Sequence, residues 1–356
     1  MTNAPPQGSD ETSRLEDPVD RREAIHRADR PAEVDLRTDA RPTPVPDGGT
    51  PDRVLVLNPV SGDGEHGPRV RELAEEYGFA VRETERSGDA IDLAREAAAA
   101  GAGLVVACGG DGTVNEAVRG IWNADALDRT TFGIVPGGTG NNFAENVGIE
   151  GVDHAFEVIA EGDVRRIDLG TAAVDGGEPV PFLNSCIGGL TAHASASTDH
   201  EQKDRLGVLA YVVNTLREVA AFEGLDLHVE PTRYHDAWDG DAVMLLAGNG
   251  RRFPESGRTQ ADMEDGLLDV TIVEEHPTID LAGEAVVQRL FGSETPNISR
   301  MRTPAVDVTV QEEDRVAFSL DGEMVSASRL HLAVRESVLE LPVGPAYEPT
   351  PREGPE

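Results

Sequence analysis

Leu104-Val-Val-Ala-Cys-Gly-Gly-Asp-Gly-Thr113 decides the fold. The unbroken apolar run Leu104–Cys108 makes a short buried strand, which passes straight into a glycine-rich turn and then into a helix over Val114–Ile121. The same unit lies upstream. There Val54-Leu-Val-Leu57 enters Asn58-Pro-Val-Ser-Gly62, and Pro68–Tyr77 follows with Val70, Leu73 and Ala74 at helical spacing. Between the two units, Ala80–Glu83 reads as a strand and Asp89–Ala100 as a helix with Ile91, Leu93, Ala94 and Ala97 inward. Downstream, Phe132-Gly-Ile-Val135 opens into Pro136-Gly-Gly-Thr-Gly-Asn-Asn142 and another helix. Strand, loop and helix in strict alternation predict an α/β domain over residues 51–170, its sheet parallel and covered on both faces.

Beyond Asp168 the pattern turns to β. Thr171–Val174 and Val180–Cys186 flank Asp175-Gly-Gly, a hairpin signature, and strand-like runs follow at Leu225–Val229, Ala242–Ala247, Leu267–Val273, Ala305–Val310, Val316–Leu320 and Leu330–Val334. They predict a second domain, an antiparallel β-sandwich over residues 171–344. Helices at Arg205–Ala221 and Ile279–Phe291 interrupt it, and His193 and His200 read as solvated. Residues 1–50 and 345–356, rich in Pro, Asp and Glu, offer too little apolar surface to offset ordering and are expected to be disordered tails.

The 356 residues carry 66 Asp plus Glu against 31 Lys plus Arg, a formal net charge of −35, and Lys203 is the sole lysine. Such a charge repels nucleic acid and matches a halophile's composition. In molar salt the Debye length is ~3 Å, so the charge does not bar an anionic membrane surface. No apolar run approaches the ~20 residues a membrane span needs, and the N-terminus lacks a secretory signal, which predicts a cytoplasmic protein. Cys108 and Cys186 stand apart, without CxxC spacing, and are expected to be free and buried.

Three glycine-rich loops fall at the carboxyl ends of parallel strands, where open α/β sheets bind ligands. Glycine lets the backbone approach a phosphate while helix-start amides point at its oxygens. No GxxxxGK[ST] occurs, which excludes a Walker-type site. Asp111 would repel a phosphate beside it unless a cation intervened, so magnesium is expected there, directly or through water. This loop tip lies outside the predicted core, and Asp111 is expected to matter little for folding.

Asn58-Pro-Val-Ser-Gly62, Gly109-Gly-Asp-Gly-Thr-Val-Asn-Glu116, Pro136-Gly-Gly-Thr-Gly-Asn-Asn-Phe-Ala144, Asp168-Leu-Gly170, Asp265-Gly-Leu-Leu-Asp269 and Asp321-Gly-Glu323 together resemble the diacylglycerol kinase catalytic family, from roughly Arg53 to Pro342. The resemblance implies ATP-dependent phosphorylation of a lipid hydroxyl, with Mg2+, in a cleft between an α/β domain and a β-sandwich. It implies that ATP meets Asn58, Pro59, Ser61, Gly62, Thr84, Gly109, Gly110, Asp111, Gly112, Thr113, Asn115, Gly138, Thr139 and Asn142. Asp321 and Glu323 match the acidic pair beside the acceptor hydroxyl, either one able to serve as the base, with Asp168 the next candidate. Read from the residues alone, acids two apart can converge in a turn and drive one pKa up. Asp265, with the carbonyls of Asp262 and Leu267, resembles the metal site of the bacterial members. The expected partner is a lipid at the membrane surface, and a homodimer is left open.

Two positions depart from the family pattern: Asn142 stands where Asp is common and Glu145 where Arg is common. Asp321-Gly-Glu323 and Asp265-Gly266 alone read as turns, and Asp168 after Arg165 and Arg166 reads as an ion pair. An NAD kinase shares the GGDGT turn and the two-domain plan, but Asn58–Gly62 and the long 136–144 loop favour the lipid branch. A non-catalytic nucleotide or lipid sensor is the third reading.

Overall fold

The computed structural model describes residues 51–189, 224–252, 260–274, 298–311 and 315–351. The expected N-terminal tail, the helices at Arg205–Ala221 and Ile279–Phe291, and His193, His200 and Lys203 lie outside the described residues, as do 352–356.

Strands β1 (Arg53–Leu57), β2 (Ala80–Glu83), β3 (Leu104–Gly109) and β4 (Thr131–Pro136) form a parallel sheet in the order β2-β1-β3-β4. Their apolar runs are buried on both faces, as a doubly covered parallel sheet requires. Helices α1 (His66–Glu76) and α5 (Val152–Glu161) pack against each other, as do α2 (Asp89–Ala99) and α3 (Asp111–Asn123). A short α4 (Asn142–Asn146) follows β4. The order places β1 beside β3 with β2 and β4 outside, so the chain reverses direction at the β1/β3 seam. The loops after these two strands therefore open side by side.

The second sheet is antiparallel, with eleven strands among the described residues. It comprises β5 (Asp163–Val174), β6 (Val180–Phe182), β7 (Ser185–Gly189), β8 (Leu225–Pro231), β9 (Trp238–Gly248), β10 (Leu268–Glu274), β11 (Ile298–Thr303), β12 (Ala305–Val310), β13 (Val316–Leu320), β14 (Glu323–Ala327) and β15 (Arg329–Val343). The expected hairpin at Asp175-Gly-Gly joins β5 to β6, and its tip takes positive φ at Asp175 and Gly176.

The strand structure differs from the sequence reading at two boundaries. β5 enters the antiparallel sheet at Asp163, upstream of the expected division at 170/171. β15 runs to Val343 and pairs with β5 from Leu330↔Val174 to Val343↔Asp163, changing register between Arg335 and Leu339. The far half of this ribbon buries Ile167, Leu169, Leu339, Leu341 and Val343 in the same cluster as Val54–Leu57. Past Val343 the chain is held where composition suggested fraying: Tyr347 is buried and its hydroxyl donates to Glu264 (2.9 Å).

Candidate active site

The three glycine loops interlock. Ser61 Oγ accepts the Gly110 amide (3.0 Å), and Asn58 Nδ2 donates to Thr113 Oγ1 (3.1 Å), tying the loop after β1 to the start of α3. Backbone approach is closest at Gly138, where a Cβ would lie 2.3 Å from Gly110 Cα, and at Gly62, left-handed at φ +60°, where it would lie 2.8 Å from the Gly137 carbonyl. No other residue fits either position without moving a neighbouring loop. Asn141 closes the third loop on itself, with Oδ1 accepting the Gly138 amide (3.0 Å) and Nδ2 donating to the Gly138 carbonyl (2.7 Å). Asn115 is buried on α3 with Oδ1 unpartnered, Thr84 follows β2 on the same edge of the sheet, and Thr139 is exposed at the third loop. Pro59 stands in the first loop, and Gly112 lies in the first turn of α3.

Asp111 has a structural task the sequence did not show. Its Oδ2 accepts the Asn142 amide (3.1 Å) and side-chain Nδ2 (2.9 Å), and its Oδ1 accepts the Phe143 amide (3.0 Å). The carboxylate thus caps α4 from the neighbouring helix, and these donors offset the charge for which a cation was inferred. This corrects the view of Asp111 as a loop tip without a role in folding. The Asn142 side chain adds one of the three donors, where an aspartate would place a second carboxylate beside Asp111. Oδ1 carries a single hydrogen bond, which leaves it acceptor capacity for a cation or a metal-bound water.

Asp321 sits at the first position of the β13–β14 turn, at φ +48°, with Gly322 also left-handed. Its carboxylate accepts three consecutive amides, Leu183 (2.6 Å) at Oδ2 and Asn184 (2.9 Å) and Ser185 (2.8 Å) at Oδ1. Burial pushes its pKa up to about 6 against those bonds, and the charge of Asp111 adds to the rise. The turn reading of Asp321-Gly-Glu323 is met by this hairpin. The expected convergence of the two acids is not seen. Glu323 is exposed and ion-paired with Arg119 of α3, because the turn directs the two side chains to different partners.

Asp168 is fully buried and pairs with neither adjacent arginine: Arg165 binds Glu264 and Arg166 binds Glu340. Its carboxylate accepts the amides of Gly266 and Ser337, both at 2.7 Å, fixing the 262–267 loop to the register change in β15. Burial raises its pKa to about 6. In that loop, Asp265 Oδ1 accepts the Leu267 amide (2.9 Å), Oδ2 is paired with Arg302, and Asp262 Oδ1 accepts the Glu264 amide (3.0 Å). A metal on Asp265 would have to displace the guanidinium, so the residues as arranged do not fit one. Among the described residues no group of three or more His, Cys, Asp or Glu could hold a metal.

Sequence reasoning missed Arg119, Asn141 and Arg251. Arg119 lies two turns along α3 from Asp111 on the same helix face, a signal available once the helix is placed. Arg251, after the Asn249-Gly250 turn, is brought into the field of Asp111 and Asp321 through the fold alone. Both cysteines are free and buried as expected, and burial raises both thiol pKa values, Cys108 to about 12. No helix among the described residues is long and apolar enough to cross a membrane.

Residues 52–172 match the family described as diacylglycerol kinase catalytic domain, and residues 184–343 match the YegS C-terminal NAD kinase beta sandwich-like domain. The lipid kinase YegS of Escherichia coli K12 is 31% identical over 303 residues, which cover 83% of this chain and 97% of that protein. A protein of Cronobacter sakazakii named "Probable lipid kinase YegS-like" is 30% identical, covering 82% of this chain and 95% of its own length. The crystal structure of a diacylglycerol kinase from Bacillus anthracis str. Sterne superposes with a TM-score of 0.61 at 18% identity, covering 83% of this chain and 98% of that one.

Proposed function

This chain belongs to the diacylglycerol kinase catalytic family, and from that premise we propose that it transfers the γ-phosphoryl group of ATP to the hydroxyl of a lipid at the membrane surface. The acceptor is a diacylglycerol-like lipid, a diether glycerol or a related lipid. The observation that carries the reading is the interlocking of three glycine loops at the β1/β3 seam, with Asp321 in electrostatic reach of Asp111.

The loops bring backbone amides and the start of α3 toward a phosphate chain, and the close approach of Gly138 to Gly110 leaves no side chain in its way. Magnesium, when bound with the nucleotide, supplies positive charge opposite the triphosphate, and Asp111 would hold it through Oδ1 or through a water. Asp321 is the base: at neutral pH it is ionised, and its raised pKa makes it a better proton acceptor than an ordinary aspartate. As the hydroxyl oxygen bonds to γ-phosphorus, the bond to the bridging oxygen breaks, ADP leaves with that electron pair, and the hydroxyl proton passes to Asp321. The Leu183, Asn184 and Ser185 amides keep the carboxylate in place through the step. Glu323 acts through Arg119 as a positioning residue for the same turn.

Incubation with γ-labelled ATP, magnesium and a total lipid extract in high salt tests the reading. Label in the organic phase supports it, and mass spectrometry of the product names the acceptor. Label in an aqueous NADP fraction would identify an NAD kinase, and nucleotide binding without any transfer would identify a sensor.

A further inference from the structure

Arg251 follows a turn that is tied to both sides of the cleft. The Asn249 amide donates to the Asn184 carbonyl (2.8 Å) and the Gly250 amide to the Leu183 carbonyl (2.9 Å), so the turn rests on the segment that holds Asp321. On its other side the Gly250 carbonyl accepts Asn146 Nδ2 (3.0 Å) from α4. A Cβ on Gly250 would lie 3.3 Å from the Phe143 ring, and the Phe143 amide is one of the donors to Asp111. The backbone thereby fixes the start of the Arg251 side chain beside the segments that hold both acids, and the guanidinium lies in the field of Asp111, Asp321 and Glu145.

Among the described residues the Arg251 guanidinium nevertheless forms no hydrogen bond and no ion pair. The contrast with Arg69, Arg71, Arg119 and Arg165 is sharp, since each of those has a carboxylate partner. Arg251 is half-buried, and burial holds its pKa below the ordinary arginine value. A desolvated cation surrounded by acids it does not touch is costly unless an anion completes it. The planar fork of a guanidinium fits phosphate oxygens with two parallel hydrogen bonds.

We propose that Arg251 binds the non-bridging oxygens of the γ-phosphate, between the glycine loops that carry the nucleotide and the carboxylate of Asp321. The assignment rests on the kinase reading above. The transferred group carries charge on oxygens that the glycine loops and three nearby acids could not stabilise alone, and Arg251 supplies the fixed opposite charge throughout the transfer. It also explains how Glu145 is tolerated where the family pattern carries an arginine: the positive charge enters the cleft from the 248–251 turn instead.

The test is binding of ATP and of ADP, each with magnesium and without lipid, by titration calorimetry on the full chain in high salt, for wild type, Arg251→Gln and Arg251→Lys. The expected result is a ~10- to 100-fold weaker ATP affinity for Arg251→Gln with ADP affinity changed less than about twofold, the scale of a charge-assisted hydrogen-bonded pair. Arg251→Lys, which keeps the charge and loses the fork, should fall between the two, and it serves as the reading if Arg251→Gln does not fold. Equal weakening of ATP and ADP, or no change in either, overturns the proposal, because a mere counter-ion to the three acids would not distinguish the nucleotides. Wild type that binds neither nucleotide overturns the kinase reading and this assignment with it; wild type that binds both, with variants that do not discriminate, overturns this assignment alone.

Discussion

At the scale of single residues, Asp321 and Asp111 answer different questions although both are acids of one cleft. Asp321→Asn keeps size and loses the proton-accepting oxygen, so kcat should fall by ~10²-fold or more with ATP affinity little changed. In wild type kcat/KM should rise with pH through an acid limb near the Asp321 value of about 6, and a pH–rate profile checks it. A flat profile through that range would assign the base elsewhere. Asp111→Ala removes an acceptor from three donors at α4, so the variant should lose about 1–3 kcal/mol of stability as well as activity, measurable by denaturant melting. A variant that melts like wild type would show that the cap contributes nothing. This second loss was invisible in the sequence, because a glycine-flanked aspartate says nothing about which neighbouring loop folds over it.

At the scale of elements, the Arg119–Glu323 pair joins α3, which begins at the glycine loops, to the hairpin that carries Asp321. With Glu323 more than half exposed, the pair contributes no more than about 1 kcal/mol to stability, so its effect belongs to geometry. Glu323→Arg should lower kcat by about tenfold with the melting temperature nearly unchanged, and adding Arg119→Glu should restore most of the loss. Kinetics of both singles and the double variant decide the matter, and a double variant no better than the singles would refute coupling. The parallel strands and their three loops were legible because buried apolar runs and glycine turns are local signals, and Ala305–Val310 and Val316–Leu320 were read to the residue. β11 (Ile298–Thr303) was not, since Arg300 and Arg302 mask its alternation. The second half of β15 escaped notice because its alternation breaks at Ser337, left-handed at φ +53° and held by Asp168 across the chain. Arg251 could not be found by any local rule, since its neighbours in space come from α3, α4 and the β13–β14 turn.

At the scale of the molecule, charge governs the response to solvent. A net −35 repels itself, so stability should climb as salt is raised from low to molar concentration. Asp168 and Asp321 are raised to about 6, chiefly by burial. Their folded forms hold protons that the unfolded chain has already released, so their contribution is full below about pH 4, declines as pH rises toward 7, and is level above. For fully buried Asp168 the rise from 3.8 to about 6 corresponds to about 3 kcal/mol. Exposed Glu83, Asp153 and Asp175 and half-buried Asp89 are shifted down by their hydrogen-bond partners and work in the opposite sense, but their ion pairs are screened by salt. Thermal melting over a grid of salt and pH should therefore peak at high salt and mildly acidic pH. A protein most stable at low salt and alkaline pH would refute both arguments.

The ribbon of β5 and β15 also sets an order of events during synthesis. Ile167 and Leu169 emerge from the ribosome soon after the strands they will cover, but their partners Leu339, Leu341 and Val343 come only with β15, far downstream. The parallel-sheet half therefore waits, its core open on one side, until β15 arrives. Separate production of that half would leave the same wound, because the boundary between the halves in sequence is not a boundary in the core. For the same reason a premature stop near Arg335 would cost the cell the whole protein rather than its antiparallel sheet alone.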